Sequence, residues 1–293
     1  MATVTLIINS LDEIAHQYDA LFVDLWGCVH NGITAYKSAV EALIKYRKTG
    51  GKVVLLTNSP RPRVGVEKQL HHLNVPTTCF DTVATSGDSA RAAMFAGVVG
   101  KKVFFIGEPR DQLFFDPISI IKSPIEVDQV SINDAEGIVC TGPFDGSEDP
   151  VVNKEIFLFA IDQGMKFLCA NPDIVVDRGS VRQWCAGALA KMYTEMGGES
   201  LYFGKPHSAI YDLARLRLAD LSTKITDKKI LAIGDGINTD IEGANSEGID
   251  SLFITGGLAA KETKTSINPN PEALNQYISE QKVTCTYSIG YLR

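Results

Sequence analysis

The chain has 293 residues, 45% of them hydrophobic and 22% charged, with a net charge of −7 at pH 7. That length fits two compact units with substantial cores, and the composition is that of an ordinary globular protein. The acidic balance argues against a broad nucleic-acid or anionic-membrane surface, and no run approaches the roughly 18 apolar residues of a spanning helix.

The N-terminus, Met1-Ala2-Thr3-Val4-Thr5-Leu6-Ile7-Ile8-Asn9, lacks a basic stretch and runs into Asp12 and Glu13. No secretory signal is expected, and the expected location is the cytoplasm. Six cysteines (Cys28, Cys79, Cys140, Cys169, Cys185 and Cys285) are scattered, with no C-x-x-C pair. They read as buried thiols of a reducing compartment, Cys28 among them as a small apolar filler.

The first chemically informative stretch is Leu21-Phe22-Val23-Asp24-Leu25-Trp26-Gly27-Cys28. A short apolar run predicts a buried strand, and it stops on an acid before a glycine-containing turn. An acid at the C-terminal end of a parallel strand stands where open α/β sheets bind ligands. Taken alone, Asp24 could equally cap a turn. Helical spacing follows over 36–49, stopping at Gly50-Gly51, and 52–57 reads as a strand that ends on Thr57-Asn58-Ser59. Pro60 and Pro62 mark a turn before a helix over 64–73, then a strand over 82–85 and a helix over 86–96. This alternation predicts a Rossmann-like, doubly wound parallel α/β sheet.

A middle segment has its own alternation. Strands are expected over 102–106, 136–141 and 166–170, and helices over 151–163 and 181–196. The stretch from Gly142 to Pro150 reads as a loop. From Leu201 the first pattern is expected to resume, with a strand, Gly204-Lys205-Pro206, a helix, a strand over 229–233, the turn Gly234-Asp235-Gly236, and a strand over 251–255. The expected organisation is a core of 1–85 and 198–293 with an inserted domain of 86–197.

Gly234-Asp235-Gly236-Ile237-Asn238-Thr239-Asp240 puts two carboxylates around a helix start. With Asp24 they form a self-repelling group unless a hard divalent cation neutralises it, which is Mg²⁺ chemistry. The plainer role for Asp240 is a helix N-cap. Thr57-Asn58 offers a hydroxyl and main-chain N–H groups as an anion cradle, though an ordinary polar strand end looks the same. Lys205, before a proline suited to the first helical position, is a candidate counter-ion to substrate and nucleophile; a lone lysine is otherwise simply solvated.

These four stretches, in this order, resemble the four motifs of the haloacid dehalogenase (HAD) superfamily. Asp24-Leu25-Trp26-Gly27 is similar to the first, Thr57-Asn58 to the second, Lys205 to the third, and Gly234-Asp235 with Asp240 to the fourth. The insertion resembles the α/β C2 cap of the subgroup with NagD-like sugar phosphatases and pyridoxal phosphatase. Asn171-Pro172-Asp173 and Tyr202-Phe203-Gly204-Lys205-Pro206 are similar to that subgroup's signatures. The resemblance implies a Mg²⁺-dependent phosphatase of a small phosphorylated metabolite, with Asp24 as nucleophile. It further implies phosphate binding by Leu25, Thr57, Asn58 and Lys205, and metal binding by Asp24, the Trp26 carbonyl, Asp235 and Asp240. A homodimer through the cap would be compatible with it.

One position departs from the pattern. Phosphatases of the superfamily usually carry a second Asp two residues after the nucleophile as acid and base, and here that residue is Trp26. Indole N–H donates a hydrogen bond but cannot shuttle a proton near neutral pH. His30 has a suitable pKa in principle; Glu148 and Asp149 are weaker replacements, read more simply as a solvated loop pair. A dehydrogenase fingerprint fails because Thr239 stands where the third glycine belongs, and a P-loop fails because Pro206 follows Gly204-Lys205. The rival of a different class is a catalytically weak or inactive chain that binds a phosphorylated metabolite.

Overall fold

The computed structural model describes residues 5–178, 181–221 and 225–293. In chain order its strands are β1 (Leu6–Ile7), β2 (Ala20–Val23), β3 (Lys52–Thr57), β4 (Thr82–Thr85), β5 (Lys102–Ile106), β6 (Asp128–Gln129), β7 (Gly137–Cys140), β8 (Lys166–Cys169), β9 (Val175–Arg178), β10 (Val181–Trp184), β11 (Glu199–Tyr202), β12 (Ile230–Gly234), β13 (Asp250–Ile254) and β14 (Tyr287–Ile289). Its helices include α1 (Lys37–Lys48), α2 (Arg63–His72), α3 (Ser86–Phe95), α4 (Lys154–Asp162), α5 (Ala186–Glu195) and α6 (Ser208–Leu221).

The chain forms two compact units. One comprises residues 1–57, 67–84 and 211–293, and the other 58–66 and 85–210. The first is built on a seven-stranded sheet of order β1-β14-β13-β12-β2-β3-β4. Its central pairs, β12 with β13, β12 with β2, and β2 with β3, are parallel. Strands sandwiched on both faces need apolar residues throughout rather than in alternation. That is what Ala20–Val23 and Ile230–Gly234 supply, and every residue in both strands is buried.

The second unit holds a five-stranded sheet of order β11-β8-β7-β5-β6 and an antiparallel β9–β10 pair. Its core brings Phe157 of α4, Phe167 of β8 and Tyr193 of α5 together, with ring centroids 5.3 to 5.8 Å apart. The Tyr193 hydroxyl donates to the Met165 carbonyl at 2.6 Å, which removes the cost of burying it.

Two sequence expectations are corrected. Residues 181–184 are not the start of a helix. They are β10, paired with β9, and α5 begins only after Cys185 in extended conformation. Val and Trp favour a pleated surface, and the strand partner outweighs the helical spacing. The strand at Leu201 does not resume the first sheet: β11 pairs in parallel with β8, residue Leu201 against Leu168. Residues 199–202 therefore belong to the second sheet.

All six cysteines are buried and none is in a disulfide, as the spacing suggested. Among the described residues, no helix is long and apolar enough to cross a membrane.

Candidate active site

In the first unit, parallel register does the positioning. Val23 of β2 lies opposite Ile233 of β12 and Leu55 of β3. The next residues along each strand, Asp24, Gly234-Asp235 and Leu56-Thr57, therefore emerge at one edge of the sheet. The Asp24 N–H continues the ladder, donating to the Ile233 carbonyl at 2.8 Å. Asp24, Thr57 and Asp235 are all buried.

Asp24, Cys28 and Asp235 each bring a ligand atom within 4.8 Å of the other two. Two buried carboxylates at this spacing repel unless a cation or a proton intervenes. A hard divalent cation fits the donor set, since carboxylate oxygens are its preferred protein ligands. Cys28 reaches this cluster because the turn after Asp24 folds back, with Val29 N–H donating to the Leu25 carbonyl at 2.9 Å. Cys28 is buried, as expected of a small filler, and the structure adds what its sequence position does not announce: its thiol lies within reach of both acids.

The Asp235 carboxylate is closely fitted. Its Oδ2 accepts from the Leu258 N–H at 3.1 Å. A Cβ added at Gly27 or at Gly257 would overlap that same oxygen. Two glycines, one in the turn after β2 and one after β13, thus clear the space the carboxylate occupies. Tyr36 belongs to the same surroundings: burial, then the Asp235 carboxylate and the Cys28 thiol, raise its pKa.

Asp240 is used differently from Asp24 and Asp235. Its Oδ2 accepts from Gly236 N–H at 3.0 Å, and a Cβ at Gly234 would strike its carboxylate. The segment Ile237–Ile241 is one wide turn, in which Gly236 C=O takes the Ile241 N–H at 3.1 Å. Such π-type turns are frequent at functional sites. Asp240 holds the turn that follows Asp235 from within; it is not the helix N-cap that the sequence offers as its plainer role, a position taken by Gly236.

Trp26 is half-buried and packs over Gly32, where any Cβ would overlap its ring, and edge-on to His30 at 5.3 Å. His30 is buried, and its Nδ1 accepts from Gly32 N–H at 3.0 Å. That bond fixes the neutral tautomer with its proton on Nε2. Burial pushes the imidazole down to about 4. His30 therefore locks the loop and does not offer a proton near neutral pH. Glu148 and Asp149 are exposed, and Asp149 caps the turn at Pro150 by accepting from Val151 N–H at 2.9 Å.

In the second unit, Asn58 and Lys205 are brought together across 147 positions. Asn58 Oδ1 accepts from the Lys205 N–H at 2.7 Å, and its Nδ2 donates to the Lys205 carbonyl at 3.1 Å and to Asp173 Oδ1 at 2.8 Å. Asp173 is aimed by a local turn in which Asn171 Oδ1 accepts its N–H at 3.0 Å. Gly204 cannot carry a side chain, because a Cβ there would press on Asn58 Oδ1, Pro172 and Ser86. Lys205 is 2% exposed, so its ammonium is a buried charge rather than a solvated one. The Asn171-Pro172-Asp173 signature acquires a structural reason: it seats the Asn58 amide.

Comparison with known proteins bears on the same residues. A family model for haloacid dehalogenase-like hydrolases matches residues 21–117, and a HAD-hydrolase-like model matches 202–280. A solved hydrolase of the haloacid dehalogenase-like family from Brucella suis is 36% identical, with a TM-score of 0.84, and the match covers 98% of this chain and 100% of that one. The chain is a haloacid dehalogenase-like hydrolase. The matches at residues 21–117 and 202–280 take in Asp24, Thr57, Asn58, Lys205, Asp235 and Asp240 of the hydrolase.

Other proteins it resembles include named phosphatases and a nucleotidase. It is 28% identical to a D-glycerol 3-phosphate phosphatase from Mycobacterium tuberculosis, over 85% of this chain and 66% of that protein. It is 25% identical to a 5'-nucleotidase from Bacillus subtilis, over 87% and 93%. A solved glycerol phosphate phosphatase from M. tuberculosis, in complex with magnesium, shares the fold at a TM-score of 0.65, with 23% identity over 92% of this chain and 79% of that one.

Proposed function

We propose that this HAD-like hydrolase is a Mg²⁺-dependent phosphatase of small phosphorylated metabolites, acting in the cytoplasm through a phospho-aspartate at Asp24. What supports this most directly is the pair of buried carboxylates, Asp24 and Asp235, on adjacent strand ends at a spacing that suits one divalent cation. Relatives named as a D-glycerol 3-phosphate phosphatase and a 5'-nucleotidase agree with the reading.

In this mechanism an Asp24 oxygen attacks phosphorus and the bond to the leaving oxygen breaks, that oxygen departing with the electron pair. Water then attacks the phospho-aspartate, the phosphorus–Asp24 oxygen bond breaks, and phosphate is released. Asp24, Asp235 and the Trp26 carbonyl would hold Mg²⁺, which would supply charge neutralisation at the transferring group. Asp240 acts through the turn it holds. The motif correspondence gives Lys205 the positive charge that balances the phosphoryl oxygens, with Leu25, Thr57 and Asn58 offering main-chain N–H groups and a hydroxyl. Because the Asn58 side chain is committed to Lys205 and Asp173, its share in phosphate binding would come from the main chain.

The test is phosphate release from a panel of sugar, nucleotide and glycerol phosphates, with Mg²⁺ and with EDTA, on wild type and Asp24→Asn. Metal-dependent release that vanishes in the variant is expected. Trp26 favours a second reading, in which turnover is so slow that the protein chiefly binds its phosphorylated ligand. A phospho-Asp24 that forms but is not hydrolysed would select it.

A further inference from the structure

Cys28 is not needed for Mg²⁺ chemistry, yet it sits with Asp24 and Asp235, all three donor atoms within 4.8 Å of one another. It is 1% exposed, so it is shielded from solvent. A hard cation ignores a neutral thiol and takes the two carboxylates. A borderline or soft cation does not, because thiolate is its preferred ligand.

We propose that Cys28 is a third protein donor for such ions, so that Zn²⁺ or Cd²⁺ captures the centre that Mg²⁺ serves. This rests on the reading of Asp24 and Asp235 as a metal centre. The geometry suits it: zinc–sulfur and zinc–oxygen bonds of about 2.3 and 2.1 Å place two donors of a tetrahedral ion roughly 3.6 Å apart, which falls within the 4.8 Å spread of the three atoms. Two carboxylates and one thiolate leave a fourth tetrahedral position, to be taken by the Trp26 carbonyl, by water or by a phosphoryl oxygen.

The chemistry balances without an oxidant. The metal ion replaces the thiol proton, a sulfur–metal bond forms from the sulfur lone pair, and one proton passes to solvent. The product is a centre with more negative ligand charge and a stronger hold on its ion than an all-oxygen site gives. The enzyme would then be arrested by thiophilic metals in a way that depends on one side chain.

The experiment titrates Cd²⁺ into metal-stripped full-length protein and records the ultraviolet thiolate-to-cadmium charge-transfer absorption, on wild type, Cys28→Ser and Asp235→Asn. Far-UV circular dichroism checks the fold, with Cys28→Ala in reserve should the serine variant not fold. The expected result is a band that saturates at one equivalent in wild type, is lost in Cys28→Ser and is weakened in Asp235→Asn. A band that persists unchanged in Cys28→Ser would overturn the proposal, since the sulfur would belong to another cysteine. So would Cd²⁺ binding with no band at all, even alongside Mg²⁺-dependent phosphate release. If no substrate is hydrolysed but the band is present and lost in Cys28→Ser, the thiol ligand stands and the phosphatase reading falls.

Discussion

Asn58 grips both ends of the Lys205 peptide unit, accepting from its N–H at 2.7 Å and donating to its carbonyl at 3.1 Å. A lysine held by its backbone cannot drift, so the charge on its side chain starts from a fixed origin. The third bond, from Asn58 Nδ2 to Asp173, leaves the amide no freedom to rotate. Asn58→Asp removes both donations, leaves the Lys205 carbonyl without its partner and sets two carboxylates against each other. Each buried group left unsatisfied costs about 1–3 kcal/mol. The expected outcome is an unfolding free energy, from urea titration, lowered by about 2 kcal/mol or more, with phosphatase activity falling further than stability alone explains. Lys205→Ala should instead keep the fold and lose about 10²–10³-fold in activity. An unfolded Lys205→Ala protein would count against the role given to its charge.

Gly257 separates a steric requirement from a conformational one. A Cβ there or at Gly27 would overlap the Asp235 carboxylate, but only Gly27 also has a positive φ, of 71°. Alanine at 27 is therefore strained whatever the space, while alanine at 257 tests the overlap alone. Gly257→Ala should push Asp235 off its bond to Leu258 N–H and lower Mg²⁺ affinity by about 10–100-fold, as disturbing the support of a metal ligand typically does. Isothermal titration with Mg²⁺ measures it directly, and unchanged affinity would mean that the carboxylate finds another seat.

What the sequence made legible follows from locality. Asp24, Thr57 and Asp235 each end a continuous apolar run, and such runs signal buried parallel strands whose next residue emerges at the ligand-binding edge. That they share one parallel sheet needed only the alternation of strand and helix; the order β12-β2-β3 came from the structure. The Asn58–Lys205 bridge was hidden because it spans 147 positions and has no periodicity to announce it. Residues 199–202 were assigned to the wrong sheet for a related reason: a strand's sequence specifies that it pairs, not with which partner. The nearness of Cys28 to the two acids was not legible because it depends on how one turn folds back on Asp24, and a buried thiol reads the same in any core. For residues 181–184, helical spacing and β propensity disagreed, and pairing with β9 decided the outcome.

Trp26 should make the enzyme sensitive to its leaving group. With no acid two residues after Asp24, the departing oxygen must leave without a proton from that position. Aryl phosphates, whose leaving groups are stable as anions, should react at least about 10²-fold faster than alkyl phosphates, the scale on which a positioned acid acts. Hydrolysis of the phospho-aspartate lacks its base as well, so a burst of one nitrophenol per chain should precede slow steady turnover. Trp26→Asp should narrow the gap and shorten the lag between burst and release. It should also cost about 1–3 kcal/mol, because the ring no longer covers Gly32 and His30. Equal kcat/KM values for aryl and alkyl substrates in wild type, a quantity that reports the first step and not the slow release, would show that another group delivers the proton.

His30 should make the loop acid-sensitive. Its folded-state pKa is pushed down to about 4 from an ordinary 6.5, by burial. The unfolded chain therefore binds a proton at higher pH than the folded one. The stability contributed by keeping this imidazole neutral is complete above pH 6.5 and is lost as the pH falls towards 4, by about 3 kcal/mol in all. The protonated ring would also forfeit its bond from Gly32, since Nδ1 would then carry a hydrogen of its own. His30→Asn can accept from Gly32 through its Oδ1 and does not titrate. Denaturant midpoints measured at pH 7, 5.5 and 4.5 should fall more steeply for wild type than for His30→Asn, and parallel curves would mean that other groups govern the acid limb.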